Sequence, residues 1–139
     1  MCCTRPSTSS TADNPTSKTS DIMEQRPLYE QRLWGHYHVI YEKSLPDGTQ
    51  VLCKELVIEP GRNISYQRHF HRMEYWTIID GEGELMLDRE WSKVKRGDSI
   101  KVLCRQLHSI KATTRLRIIE VQMGDLLSED DIERLPTVW

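Results

Sequence analysis

Two histidines and a glutamate lie close together in the segment GRNISYQRHFHRMEYW, which runs from Gly61 to Trp76. They are His69, His71 and Glu74. Imidazole nitrogens and carboxylate oxygens are good donors to a divalent first-row metal ion. If the segment is a strand, Gln67, His69 and His71 project onto one face as a row of potential ligands. The segment predicts a metal site, although a polar strand face that meets water gives the same alternation.

The glycines on either side of this segment give it a defined spacing. Five residues separate Gly61 from Gln67, four separate His69 from Glu74, and six separate Glu74 from Gly81. A single histidine carries little information, because motif matches occur by chance. The combination of ligand types with this spacing favours a metal site over a hydrated strand face.

The elements that must position these residues are predicted to be strands. From Tyr37 onward, apolar or alternating runs repeat about every ten residues, as in an all-β barrel or sandwich. Turn residues such as Pro46-Asp47-Gly48 separate the runs. Only the C-terminus looks helical, because Ser128 and Asp131 can cap a short helix from Glu129 to about Leu135.

A single domain is expected to hold the whole site. Residues 1–22 are rich in Ser, Thr and Pro and have almost nothing to bury, so we expect a disordered tail. The remaining residues, 23–139, form one domain, because a chain of 139 residues is too short for two independent cores.

Composition excludes several classes of partner. The net charge of -2 comes from 19 basic and 21 acidic residues mixed along the chain, which argues against nucleic acid. No apolar run approaches the roughly 20 residues needed to cross a bilayer, so we expect no membrane association. The cysteines, Cys2, Cys3, Cys53 and Cys104, form no CxxC pair and no signal peptide precedes them, so we expect a cytoplasmic protein.

Four parts of the chain resemble motifs of known proteins. With its flanking glycines, the segment from Pro60 to Trp76 resembles the first motif of the cupin superfamily, and Gly97 to His108 resembles the second. More narrowly, RLWGHY (Arg32–Tyr37), PGRNISYQRHFHRMEYW and IIEVQMGDLLSEDDIERL (Ile118–Leu135) are similar to strings in one enzyme family. That family is the type II phosphomannose isomerase/mannose-1-phosphate guanylyltransferases, and the matching part is its cupin isomerase domain. The resemblance covers roughly Leu28 to Leu135 and implies a single cupin, a small β-barrel or jelly roll.

The chain also departs from the family pattern. Leu103, Arg105 and Ala112 stand where the second cupin motif usually has Pro, Gly and Asn, so the turn before His108 is expected to differ in shape. Phe70 replaces the middle histidine of HHH. The nucleotidyltransferase segment does not occur in the sequence. The resemblance therefore implies only the family's isomerase activity for this chain, as a stand-alone domain.

The resemblance implies one bound divalent metal ion. In the cupin register the ligands are Gln67, His69, Glu74 and His108. By ligand strength His71 replaces Gln67, because imidazole binds metal more strongly than a carboxamide oxygen. Either residue can take the fourth place, and the other lines the pocket. Zinc is the first expectation, and Mn²⁺, Fe²⁺ and Co²⁺ suit the same donor set.

The family's reaction interconverts mannose 6-phosphate and fructose 6-phosphate through an enediol(ate), so the resemblance implies a small phosphorylated sugar as partner. An uncoordinated His71 is the first candidate for the proton carrier, and a metal-bound hydroxide is the second. Arg72, which follows the family's HHH position, is assigned a catalytic role with His71. Arg62, Lys54 and Tyr37 are candidates for contacting the substrate. Each basic residue could equally be a solvated surface charge.

Two other functions use the same ligands. Two histidines and a carboxylate with open positions also describe a non-haem Fe(II) oxygenase. A non-catalytic cupin that binds a sugar phosphate or nucleotide sugar is a further alternative, because one fold hosts many activities. Cupin relatives often pair, and an exposed edge strand near Val39 would gain from being covered, so we expect a homodimer.

Overall fold

The computed structural model describes residues 26–139, and these residues form eleven β-strands and no helix. The strands are β1 (Tyr29–Arg32), β2 (Gly35–Ser44), β3 (Gln50–Ile58), β4 (Tyr66–Arg68), β5 (Arg72–Asp80), β6 (Glu82–Leu87), β7 (Glu90–Lys95), β8 (Ser99–Val102), β9 (His108–Ala112), β10 (Leu116–Gly124) and β11 (Glu133–Leu135). The predicted all-β class is confirmed. Within the same residues no helix is long and apolar enough to span a membrane. The tail predicted for residues 1–22 lies outside the described part.

The strands form two antiparallel sheets. The larger sheet has the order β1-β2-β3-β10-β5-β8, and the smaller sheet has the order β11-β4-β9-β6-β7. Between them lies one cluster of buried apolar side chains, in which Ile58 and Ile78 of the larger sheet join Leu85 and Ile110 of the smaller one. Burial of this cluster holds the two sheets face to face.

The inward face of the larger sheet changes from apolar to polar along its strands. Alternate residues of β5 point inward, and the buried positions run from Arg72 and Glu74 at one end to Ile78 at the other. On β10, Glu120 is buried beside Glu74 and Trp76, whereas Ile118 lies in the apolar cluster. The polar ends of the central strands therefore coincide, and they form one wall of a cavity.

The strand expected to carry Gln67, His69 and His71 on one face is shorter than predicted. Strand β4 ends at Arg68, the chain bends, and β5 begins at Arg72. At the bend the carboxylate of Asp131 accepts hydrogen bonds from the backbone N–H groups of Phe70 and His71, each at 2.9 Å. These amides are thus withdrawn from strand pairing, and side-chain alternation stops before His71.

The predicted C-terminal helix is wrong. Ser128 does accept hydrogen bonds from the backbone N–H groups of Asp130 and Asp131, but only a turn forms. Residues Glu133–Leu135 then continue as strand β11, which pairs with β4. Pairing with the edge of the smaller sheet outweighs the local capping signal, as tertiary contacts commonly do for short segments.

Gly124 allows two strands to approach closely beside the polar wall. It ends β10 opposite Arg72, the first residue of β5. A Cβ at this position would collide with the carbonyl oxygen of His71 and lie 2.7 Å from the Cα of Arg72. The absence of a side chain at Gly124 therefore fixes where β5 begins and where the Arg72 side chain enters the cavity.

A candidate metal centre in the barrel cavity

The polar ends of the strands enclose a cavity of about 860 Å³ between the two sheets. Its wall includes side chains from the central strands of the larger sheet, from β4 and β9, and from the C-terminal segment 129–137. This volume is within the usual range for a small-molecule site.

Three buried side chains meet on this wall. His69 follows β4, Glu74 lies within β5, and His108 begins β9. The Nε2 atom of His69 lies 3.3 Å from Oε2 of Glu74, and Nε2 of His108 lies 3.8 Å from Oε1. One donor atom from each residue falls within 4.8 Å of the others, an arrangement that could hold a metal ion. Three ligands predicted from the sequence are thus brought together.

Backbone carbonyls set the tautomers of both histidines. Nδ1–H of His69 donates to the carbonyl of Asp131 at 2.7 Å, and Nδ1–H of His108 donates to the carbonyl of Gln106 at 2.9 Å. A carbonyl can only accept, so the proton of each neutral ring is on Nδ1 and the lone pair is on Nε2. Nε2 of His108 is buried and has no hydrogen-bond partner among the described residues. This orphaned lone pair and the donor set fit a divalent metal ion.

The electrostatics of the cluster favour the protonation states that metal binding needs. Burial lowers the pKa of His69 to about 4 and also lowers that of His108. Burial acts to raise the pKa of Glu74, but the charge of Arg72 holds it well below its usual range. The cluster therefore presents two neutral imidazoles and one carboxylate near neutral pH.

Arg72 contacts the same donor atoms. Its Nε donates to Oε2 of Glu74 at 2.9 Å, and Nη2 lies 3.2 Å from Nε2 of His69. A third group, Nη1, lies 3.4 Å from the carbonyl of Ser128. The bend before β5 brings Arg72 inside, as its predicted catalytic role requires. A metal ion would have to displace the guanidinium from the lone pair of His69.

The structure adds residues that sequence reasoning missed. Nε1–H of Trp76 donates to Oε1 of Glu74 at 3.1 Å and lies 3.3 Å from Oε2 of Glu120. Gln122 donates to Glu120 at 3.0 Å. Burial, reinforced by the nearby Glu74, raises the pKa of Glu120 to about 8. The sequence does give a sign of this network, because Glu120 and Gln122 continue the alternate positions that begin with the apolar Leu116 and Ile118.

Gln67 and His71, the two competitors for the fourth ligand place, lie in different surroundings. Gln67 lines the cavity and is directly opposite His108 in the pairing of β4 with β9. The side chain of His71 is 48% exposed, lies 3.2 Å from Asp125, and does not line the cavity. The structure therefore supports neither the ligand role nor the proton-transfer role predicted for His71, since the bend after β4 turns it outward.

Of the three residues predicted to contact the substrate, two line the cavity and one does not. Lys54 and Tyr37 line the cavity and are almost fully buried. The hydroxyl of Tyr37 donates to Glu30 at 2.7 Å, and burial, followed by this hydrogen bond, raises the pKa of Tyr37 to about 12. Arg62 is exposed and does not line the cavity, so the structure does not place it at the site.

The side chain of Asp131 is expected to matter for metal affinity although it is not a ligand. In Asp131→Ala the bend at Phe70 and His71 loses its two carboxylate hydrogen bonds, and the carbonyl that orients His69 is less fixed. We expect metal affinity to fall about tenfold, as for other outer partners of ligands, and unfolding free energy to fall by about 2 kcal/mol. Chelator competition and urea denaturation measure these two quantities. Asp130→Ala is the matched control, and unchanged affinity in Asp131→Ala would show a purely structural role.

Comparison with known proteins identifies relatives of this arrangement. The model of the family described as "Mannose-6-phosphate isomerase C-terminal" matches residues 20–137. The chain is 32% identical over 117 residues to the alginate biosynthesis protein AlgA of Pseudomonas putida, covering 83% of this chain and 23% of that protein. It is 33% identical over 106 residues to a mannose-1-phosphate guanylyltransferase of Salmonella muenchen, covering 75% and 21% respectively. The chain thus spans less than a quarter of either relative.

Solved structures share the fold at lower identity. The capsular polysaccharide assembling protein CapF of Staphylococcus aureus superposes with a TM-score of 0.61 at 15% identity, covering 81% of this chain and 34% of that one. An uncharacterized protein with a double-stranded β-helix domain from Klebsiella pneumoniae gives a TM-score of 0.55 at 16% identity, covering 86% and 94%. The cupin fold, a small β-barrel or jelly roll expected from the motifs, is therefore confirmed.

Proposed function

The chain belongs to the family described as mannose-6-phosphate isomerase C-terminal, and on that premise we propose that it is a metal-dependent isomerase interconverting mannose 6-phosphate and fructose 6-phosphate. One observation carries the proposal. The lone pairs of His69 and His108 and the carboxylate of Glu74 converge on a cavity large enough to hold a sugar phosphate. The relatives are enzymes or pathway proteins of much greater length, so the activity is assigned to this chain as a proposal.

The candidate metal site fits the first requirement of aldose-ketose isomerisation, the polarisation of a sugar carbonyl. A bound divalent ion would supply that Lewis acidity. Mixed nitrogen and oxygen donors suit Zn²⁺, Mn²⁺, Fe²⁺ and Co²⁺ alike. The protein's own part is to hold the imidazoles of His69 and His108 by their Nδ1–H groups, and to hold Glu74 by the indole of Trp76.

The cavity wall matches the second requirement, a group that holds a proton beside C1 and C2 of the sugar. His71 lies outside the cavity, so the candidates are titratable side chains that face inward. Glu120 lies opposite Trp76 on one side and opposite Lys54 on the other. Glu120 is buried and lines the cavity, so it is the first candidate for this role, whereas Lys54 is a cation on the neighbouring strand.

Proton NMR of mannose 6-phosphate in deuterated buffer tests the proposal. With Zn²⁺, Mn²⁺, Co²⁺ or Fe²⁺ added, the protein should form fructose 6-phosphate and exchange the C2 proton for deuterium. Chelation should stop both processes, and readdition of the metal should restore them. If metal-loaded protein neither isomerises nor exchanges the C2 proton above the chelated sample, the isomerase proposal is wrong.

A further inference from the structure

We propose that Lys54 and Arg32 form a phosphate subsite on the cavity wall, and that the carboxylate of Glu129 occupies this subsite until a phosphorylated ligand replaces it. The inference rests on the proposed function, because it assigns the phosphate of the substrate to particular side chains. It concerns a part of the cavity separate from the three candidate metal ligands.

Lys54 is a buried cation whose ion-pair partner, Glu129, is much more exposed. Its Nζ lies 3.3 Å from Oε2 of Glu129, and the two side chains are 6% and 41% exposed. A buried ammonium group needs an opposite charge beside it. Glu129 can turn toward water at little cost, whereas Lys54 cannot. The pairing therefore permits one anion to be exchanged for another while the ammonium stays neutralised.

A second cation contacts the other oxygen of the same carboxylate. Nη2 of Arg32 lies 3.6 Å from Oε1 of Glu129 and 2.6 Å from Oε1 of Glu30. The two cations thus hold one oxygen of Glu129 each. A phosphate monoester presents at least two oxygens and carries about −1.5 to −2 charges near neutral pH. It can make the same two contacts with a larger electrostatic gain.

The aromatic ring of Tyr37 keeps Lys54 directed into the cavity. Nζ of Lys54 lies 4.0 Å from the centre of that ring, within the range of a cation–π contact. The hydroxyl of Tyr37 donates to Glu30, the residue that also holds Arg32. The two cations and the ring therefore form one connected arrangement, and Glu129 is the member that comes from outside the sheet.

The position of this subsite fits the length of the proposed substrate. Lys54 on β3 lies opposite Glu120 on β10, which lies opposite Trp76 on β5, next to the inward-facing Glu74. Two strand spacings separate β3 from β5, a distance of about 10 Å. An open six-carbon chain with a terminal phosphate can bridge this gap. Its carbonyl end would then face His69 and Glu74 while the phosphate reaches Lys54.

Calorimetric titration of the full chain with three probes tests the subsite without requiring turnover. The probes are inorganic phosphate, mannose 6-phosphate and unphosphorylated mannose. Lys54→Met should weaken binding of both phosphate-bearing probes at least about tenfold and leave mannose unchanged. Glu129→Gln should tighten the same two probes several-fold, because the competing carboxylate is gone. Lys43→Met, which changes an exposed lysine of β2, is the matched control.

The outcomes distinguish failure of the phosphate subsite from failure of the isomerase proposal. If Lys54→Met does not fold, the direction of change in Glu129→Gln decides alone. A wild type that binds neither phosphate-bearing probe, or variants that affect mannose as much as mannose 6-phosphate, would overturn the subsite. If both variants behave as expected but mannose 6-phosphate does not turn over, the subsite stands and the isomerase proposal fails.

Discussion

His69→Ala is expected to lose the bound metal ion and to reduce isomerisation of mannose 6-phosphate by more than about 100-fold, a larger loss than changes to outer partners of ligands usually cause. The variant removes one of two imidazole lone pairs that converge with Glu74. The remaining carboxylate and His108 provide too few donors for tight binding. Metal content after dialysis and the NMR assay measure the two effects.

His71→Ala is the matched control, because it changes a histidine two residues away in the same segment. Its exposed ring contacts Asp125 and does not reach the cavity. We expect metal content and turnover to stay within about twofold of wild type, as surface changes usually have small effects. If His71→Ala loses the metal ion as His69→Ala does, His71 is a ligand and its outward position in the structure is contradicted.

Much of the site could be predicted because it depends on local patterns. Spacing from the flanking glycines identified His69 and Glu74, and the resemblance of Gly97 to His108 to the second cupin motif identified His108. The alternating and apolar runs predicted the central strands, since period-two patterning reflects one buried face. These predictions agree with the structure because spacing and period-two patterning depend only on residues within one strand or turn.

The outward position of His71 depends on a contact that sequence spacing does not reveal. Asp131, 60 residues further along the chain, binds the amide of His71 and ends the alternation begun in β4. Taken alone, the segment that contains Asp131 predicts a capped helix from Glu129 to about Leu135. In the structure the carboxylate of Asp131 accepts hydrogen bonds from the amides of Phe70 and His71 instead of from a helix of its own segment.

Three residues of the C-terminal segment contact side chains that line the cavity. Asp131 orients His69, the carbonyl of Ser128 lies near Arg72, and Glu129 pairs with Lys54. The string SEDD therefore supplies the contacts that complete the site. Short polar strands such as β11 escape prediction because their pairing depends on an available sheet edge and not on their own apolar pattern.

Glu74→Gln is expected to lose the metal ion and also to destabilise the metal-free protein. Arg72 is buried, and its Nε lies 2.9 Å from the carboxylate of Glu74. Removing one partner of a buried ion pair costs about 3–5 kcal/mol. We expect about 3 kcal/mol, at the low end of that range, because Glu120 and Glu129 also stabilise the charge of Arg72. Urea denaturation without metal measures the loss.

A double variant separates the structural role of Glu74 from its role as a ligand. Adding Arg72→Met to Glu74→Gln removes the unpaired cation, so most of the lost stability should return while metal binding stays absent. In Arg72→Met alone, Glu74 is buried without its cation, and an added metal ion should restore stability by supplying the missing charge. If the stability losses of the two single variants simply add in the double variant, or if the double variant binds metal, then Glu74 does not bind both Arg72 and the metal ion.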